Sequence, residues 1–258
     1  MPNTESAQKE TNYTIPLVIL SLIIIGATGY FAKFWYDALF SNKPISSDVA
    51  TKQSATATPS PETATIIEKT QKPKVNLFVM SFCPYGNLAE NTIKPVIDLL
   101  GDKVDWNLNY VVSVNGTTVS SLHGQPETDQ NVRELCVGEL YNSAKMWDFI
   151  LYVNENCGSN GSCWKDGAIS LGLDTGVIET CVADKTLELM TAEAKIASEF
   201  GAQASPTFFI NGTKDNSIYS YGNPNVVKEA ICSAFVETPE ECAVVLESTN
   251  TNVSGSCN

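Results

Sequence analysis

Between positions 15 and 32 the chain runs IPLVILSLIIIGATGYFA, eighteen residues without a charge. That is close to the roughly 20 apolar residues a helix needs to cross a bilayer. Tyr30, Phe31, Phe34, Trp35 and Tyr36 crowd one end, where interfacial aromatics sit. The pattern predicts a transmembrane anchor over 15–36, behind a short N-terminal segment 1–14. A cleaved signal peptide is the competing reading. The length of the apolar run counts against it, as does a leading segment whose Lys9 stands beside Glu5 and Glu10. Residues 41–74 are rich in Ser, Thr, Ala, Pro and Lys and have no apolar periodicity. Such a stretch cannot offset its own ordering entropy and reads as a disordered tether, holding the rest of the chain on the order of 30 Å from the bilayer.

After the tether, strand and helix patterns alternate. Residues 75–80 (VNLFVM) form a short apolar run suited to a buried central strand. Leu88, Ile93, Val96, Ile97 and Leu100 fall near helical spacing over 87–100, and Gly101 is a stop signal. Residues 104–114 alternate like a strand, and Asn115-Gly116 then signals a turn. Amphipathic helices are predicted around 129–141 and 143–153, with a shorter helical segment near 177–183 leading into a long helix over 185–200. A strand over 207–210, the hairpin signal Asn211-Gly212, a second strand near 217–221 and a last helix over 224–235 complete the pattern. Without the middle helices the order is β-α-β-α-β-β-α. One domain over 75–246 results, with a helical insertion over about 126–183 and a flexible tail over 247–258.

Composition narrows the function classes. A formal charge of −13 leaves no basic stripe for a polyanion, which excludes nucleic acid as a partner. Eight cysteines suit an oxidising compartment, and this places the side C-terminal to the anchor outside the cytoplasm. Zinc is the other use of cysteine, but the chain has no C-x-x-C pair and one histidine, His123. No metal is therefore expected, and the thiol chemistry read below requires no organic cofactor.

The central chemical signal is Ser81-Phe82-Cys83-Pro84-Tyr85-Gly86, where an apolar strand hands over to an amphipathic helix. Cys83 falls at the helix N-cap, with Pro84 at the first helical position where a missing N–H costs nothing. The positive end of the helix dipole favours thiolate over thiol there, and only the thiolate attacks disulfides. A buried structural thiol is the plainer alternative. The second signal, Ala204-Ser205-Pro206-Thr207-Phe208-Phe209-Ile210, directly precedes a strand. With both signals in this order, the sequence resembles the DsbA-like family of thioredoxin-fold thiol-disulfide oxidoreductases, over roughly 75–242. The resemblance implies a thioredoxin-like α/β fold, a cis Pro206 lying against Cys83, and backbone groups around Ser205, Pro206 and Thr207 that form a groove for extended substrates. It also implies that the pair Pro84-Tyr85 tunes the reactivity of Cys83.

One departure matters. The family's motif is C-x-x-C, and Gly86 stands where its second, resolving cysteine belongs. Three outcomes are open: monothiol exchange or isomerisation completed by an external thiol or redox partner, a resolving cysteine from elsewhere in the chain, or a redox-inactive groove. Cys232 and Cys242 flank a short loop and are expected to pair. Cys136, Cys157, Cys163 and Cys181 lie in or beside the insertion and should form two bonds, in one of three connectivities. That leaves Cys83 and Cys257, the latter a candidate resolving thiol on the tail. Glu90, on the active helix, is read as solvated rather than as a proton relay for the site, Leu122-His123-Gly124 as a segment lining the groove, and Met146, Trp147 and Phe149 as packing of the insertion. The function expected is thiol-disulfide exchange on cysteine-containing protein or peptide substrates. The alternative is a thioredoxin-fold peptide-binding module or chaperone.

Overall fold

The computed structural model describes residues 67–251. The expected anchor, most of the expected tether and Cys257 lie outside the described residues. No helix among the described residues is long and apolar enough to cross a membrane.

A four-stranded sheet of order β2-β1-β5-β6 forms the centre. Strand β1 (Lys74–Val79) pairs in parallel with β2 (Asp105–Tyr110) and antiparallel with β5 (Thr207–Ile210), so both its edges are occupied. Its period-2 alternation divides the core. Val75, Leu77 and Val79 face one way, packing with Phe208 and Ile210 against α1 (Pro84–Leu100) and α6 (Pro224–Ser233). Phe78 and Phe209 face the other way, against Phe200, Ala197 and Ala202 at the end of α5 (Thr175–Phe200). A strand covered on both faces reads as a continuous apolar run, which is why VNLFV carries no exposed polar face.

Between β2 and β5 come the hairpin β3 (Ser113–Asn115) and β4 (Thr118–Ser120), then α2 (Gln125–Leu140), α3 (Ser143–Asn156), α4 (Trp164–Ser170) and α5. The insertion has a core of its own around Val137, Phe149, Val153, Trp164 and Ile178, and Phe82 from the C-P-Y loop is part of it. Trp147 and Ile150 reach the main core instead. The order of elements and strands is that of the thioredoxin fold.

Several details differ from the sequence expectation. The strand expected over 104–114 ends at Tyr110 and gives way to a separate hairpin around Gly116, at φ +61°. The segments expected over 177–183 and 185–200 are one continuous helix of 26 residues, about 39 Å long. Asp184-Lys185 puts no breaker between them, and Asp174 caps the start by accepting from Gly176 N at 2.8 Å and Val177 N at 3.1 Å. Helix α4 has no counterpart in the sequence expectation; seven residues are too few for a period to declare itself. The strand expected near 217–221 is instead a 3₁₀ turn at Ser217–Tyr219, and β6 is Thr213–Lys214. Asn211 and Gly212 both take positive φ, 49° and 77°, as a two-residue hairpin turn requires, so Ile210 pairs at once with Thr213.

Both ends of the domain extend past the expected boundaries. Residues 67–74, expected as tether, belong to the fold: Thr70 N donates to Ala234 O and Val236 N to Thr70 O, both at 2.9 Å, while Asn211 Nδ2 donates to Glu68 O at 2.6 Å. Residues 247–251, expected as flexible tail, continue a segment bonded along the outside of α6 and onward to Gly222. Among the described residues three disulfides staple the domain: Cys136–Cys181 ties α2 to α5, Cys157–Cys163 closes the loop before α4, and Cys232–Cys242 holds the chain after α6.

Candidate functional site

Four residues join the end of β1 to the start of α1, and side chains from distant elements hold almost every amide among them. Met80 N donates to Ser205 Oγ at 3.0 Å, Ser81 N to Asn131 Oδ1 at 3.2 Å and Phe82 N to Glu127 Oε1 at 3.1 Å. Cys83 N closes the turn onto Met80 O at 2.9 Å. Cys83 is extended (φ −77°, ψ 118°) at the N-cap of α1, with Pro84 as the first helical residue. Its thiol is buried, and Sγ lies 3.4 Å from Ser205 O, to which it donates. The Ser205–Pro206 peptide bond is cis. The two motifs that stand 122 residues apart in sequence thus meet at one sulfur.

Gly86 is packed into this contact. A Cβ on Gly86 would lie 2.5 Å from Ser205 Oγ and 3.3 Å from Met80 O. A cysteine at 86 would bring that same carbon, so the missing resolving thiol and the Ser205 hydroxyl are two sides of one packing arrangement. Gly86→Ala is expected to push Ser205 off Met80 N and cost about 1–3 kcal/mol, the penalty of a donor left unsatisfied. In a Ser205→Ala background the obstructing oxygen is gone, and Gly86→Ala should cost clearly less. Urea unfolding of the four proteins measures the coupling; strictly additive costs would mean that Ser205 is not the obstacle.

Two buried carboxyl groups lie behind the loop. Glu90, expected to be solvated, is fully buried on α1. Asn154 Nδ2 donates to Glu90 Oε2 at 2.6 Å, while Oε1 has no partner among the described residues. Burial raises its carboxyl well above the ordinary range, and the charges of Glu134 and Cys83 push it the same way. Glu134, on α2, accepts from Tyr110 Oη at 2.6 Å and Gln130 Nε2 at 2.9 Å, and its Oε2 is 2.9 Å from Ser81 Oγ. Burial raises it to about 7, against the pull of those three donors. Glu127, Asn131 and Glu134 follow one another at helical spacing, so one buried face of α2 meets the loop. Nothing in the sequence pattern marks these three, because polar residues on a helix ordinarily belong to its solvent side. Glu127 Oε1 also lies 2.6 Å from His123 Nδ1. The segment 122–124 therefore bears on the site through Glu127, whose carboxylate holds the amide of the residue before Cys83.

On the solvent side, Tyr85 is 53% exposed and stacks on Tyr221, ring centroids 6.0 Å apart. Tyr219 meets Tyr221 edge-on at 6.4 Å and donates from Oη to Pro206 O at 3.2 Å. Three tyrosines thus run from the start of α1 to the cis-proline turn, and Thr207 Oγ1 donates to Ala204 O at 2.7 Å within that turn. Among the described residues no group of three or more His, Cys, Asp or Glu is arranged to hold a metal ion.

A cysteine opening the first helix, set against a cis proline that opens β5, completes the picture drawn by the sheet order. The domain is thioredoxin-like. No family model matches the chain, and no curated protein does. Among solved structures, the reduced form of the disulfide bond oxidoreductase DsbG from Mycobacterium tuberculosis is similar at 14% identity and TM-score 0.49, covering 69% of this chain and 92% of that one. Oxidised BdbD from Bacillus subtilis is similar at 16% identity and TM-score 0.49, covering 64% and 89%. Reduced DsbA from Mycobacterium tuberculosis is similar at 15% identity and TM-score 0.48, covering 69% and 96%. In this thioredoxin-like domain Cys83, Pro84, Tyr85, Gly86, Ser205, Pro206 and Thr207 form one locality. The cysteines of the insertion and of the α6 loop stand apart from it as disulfides.

Proposed function

We propose that the protein is a thiol-disulfide oxidoreductase or isomerase, anchored in a membrane by residues 15–36, which acts outside the cytoplasm on protein disulfides through Cys83. The observation that supports this most directly is the Cys83 thiol at the head of α1, 3.4 Å from the Ser205 carbonyl beside a cis proline. A thiolate at Cys83 attacks one sulfur of a substrate disulfide, a mixed disulfide forms, and the other sulfur leaves as a thiolate. Substrate backbone lies beside Ser205, Pro206 and Thr207, pairing as an added strand would. The alternate side chains of such a strand meet the Tyr85, Tyr219 and Tyr221 rings. Because Gly86 cannot release the mixed disulfide, a second thiol must.

The experiment is to mix the purified chain with a peptide containing one disulfide, quench with acid, and weigh the protein without reduction. A peptide adduct mapping to Cys83 is expected. A second reading, a redox-inactive module that holds extended peptides, draws on Gly86 and the exposed tyrosines. It predicts saturable peptide binding with no adduct at any time, and that result would displace the exchange mechanism.

A further inference from the structure

The loop that precedes α4 leans on the active loop. The Cys157–Cys163 disulfide joins its ends, and near its tip Gly161 is buried at φ +61°. A Cβ at 161 would lie 3.0 Å from Phe82 Cζ and 3.2 Å from Gln130 Oε1. Phe82 immediately precedes Cys83, and its ring shares a core with Cys157 and Trp164. Gln130 reaches the active loop by a second route: its Nε2 donates to Glu134 Oε1 at 2.9 Å, and Glu134 Oε2 lies 2.9 Å from Ser81 Oγ. One glycine thus backs both residues that lead into Cys83.

Gly158 and Gly161 both take positive φ, 60° and 61°. Glycine loses more backbone freedom on ordering than any other residue, so this loop is costly to order, and joining its ends removes part of that cost. Its cysteines are 6 apart in sequence, against 10 and 45 for the other two disulfides among the described residues. The shortest loop gains least from closure. Cys163 is also partly exposed, whereas Cys136 and Cys181 are both buried, and exposed disulfides are the labile ones. Cys83 is 2% exposed. A reagent reaches its sulfur only when the active loop opens, at a rate set by the population of the open form.

We infer that the Cys157–Cys163 loop is a redox catch on Cys83: oxidised, it seats Gly161 against Phe82 and keeps the active loop closed; reduced by a dithiol, it lets Phe82 go and exposes Cys83. One thiolate of the dithiol attacks Cys163 Sγ, the Cys157–Cys163 bond breaks, and Cys157 leaves as a thiolate which takes up a proton. The second sulfur of the dithiol then attacks the first, Cys163 leaves as a thiolate and is protonated, and the reductant departs as a disulfide. Two electrons pass from the dithiol to the loop. The same reductant keeps Cys83 a thiol, so the catch opens under the conditions in which exchange through a single cysteine runs. That control of exchange rests on the reading of Cys83 as the exchanging thiol. The control of its exposure does not.

The full-length chain, titrated with dithiothreitol, quenched in acid and mapped by mass, is expected to lose the Cys157–Cys163 bond before the other two. Labelling of Cys83 by iodoacetamide is then timed without reductant. In the double variant Cys157→Ser, Cys163→Ser it should be about fivefold faster than in the unaltered chain, or more. Gly161→Ala sets a carbon against Phe82 with the disulfide intact and should raise the rate by a smaller factor. Because a local opening exposes little surface, the faster rate should hardly change with urea well below the unfolding midpoint. The unaltered rate in the double variant overturns the inference; if that variant is unfolded by circular dichroism, the unaltered rate in Gly161→Ala does so. A rate that climbs steeply with urea, or earlier loss of another disulfide in the titration, also overturns it. Faster labelling with no peptide adduct on Cys83 in any of these proteins leaves the catch standing and overturns the exchange reading.

Discussion

Replacing Cys83 by serine is expected to bring exchange with a peptide disulfide down to solvent background, a loss of more than about 10³-fold, as removal of a nucleophile does. Serine is close to isosteric and can keep the bond to Ser205 O, so the fold should hardly notice. A thermal midpoint within a few degrees of the parent is expected. Measuring both separates chemistry from collapse of the site. Exchange that survives in Cys83→Ser would mean that another cysteine carries it, and Cys257 would be the first to replace. Peptide affinity is expected to persist in this variant, because the Ser205 to Thr207 turn and the tyrosines remain.

Glu134→Ala should have the largest effect on stability, about 3–5 kcal/mol in urea unfolding, the usual cost of breaking a buried polar network from one side. It takes the acceptor from Tyr110 Oη and Gln130 Nε2 and one of the two carboxyl or amide oxygens beside Ser81 Oγ, all of them inside the domain. Glu134→Gln keeps the volume and should cost less. The two variants also test the pH dependence. Burial holds the native carboxyl at about 7 against an ordinary 4.5. Between those values the native state binds more protons than the unfolded one. This contribution is therefore fully present below 4.5 and is lost as pH rises toward 7. Glu90, raised by burial in the same direction, adds a contribution of the same sign. Glu134→Gln is expected to flatten the profile between pH 4.5 and 7. An unchanged slope there would mean that Glu134 titrates normally.

Features that local chemistry controls are legible along the chain. A cysteine followed by proline at a strand-to-helix junction, a proline opening a short apolar strand, and Asn211-Gly212 closing a hairpin each leave a mark within a few residues. Cys232 and Cys242 pair across a loop of the same scale. The thioredoxin order followed from these marks and from the switch between period 2 and period 3.6.

Tertiary structure decided whatever depends on which surfaces meet. Cys136 paired with Cys181 because α2 lies against α5, a fact no spacing encodes, whereas Cys157 and Cys163, six residues apart, already have the spacing of a small loop. Glu90 and Glu134 look like solvated helix residues one by one. They are buried because the insertion folds over the back of the active loop, and burial follows from neighbours far along the chain rather than from residue type. The same is true of Ser205 and Gly86, whose contact leaves no room for a Cβ at the second cysteine position unless the Ser205 hydroxyl moves. It is true again of the segment through Leu246 and Thr249. A polar stretch after the last helix offers no periodicity to read, and it is held in place by Asn225, Lys228 and Gly222, groups that only the folded domain brings within reach.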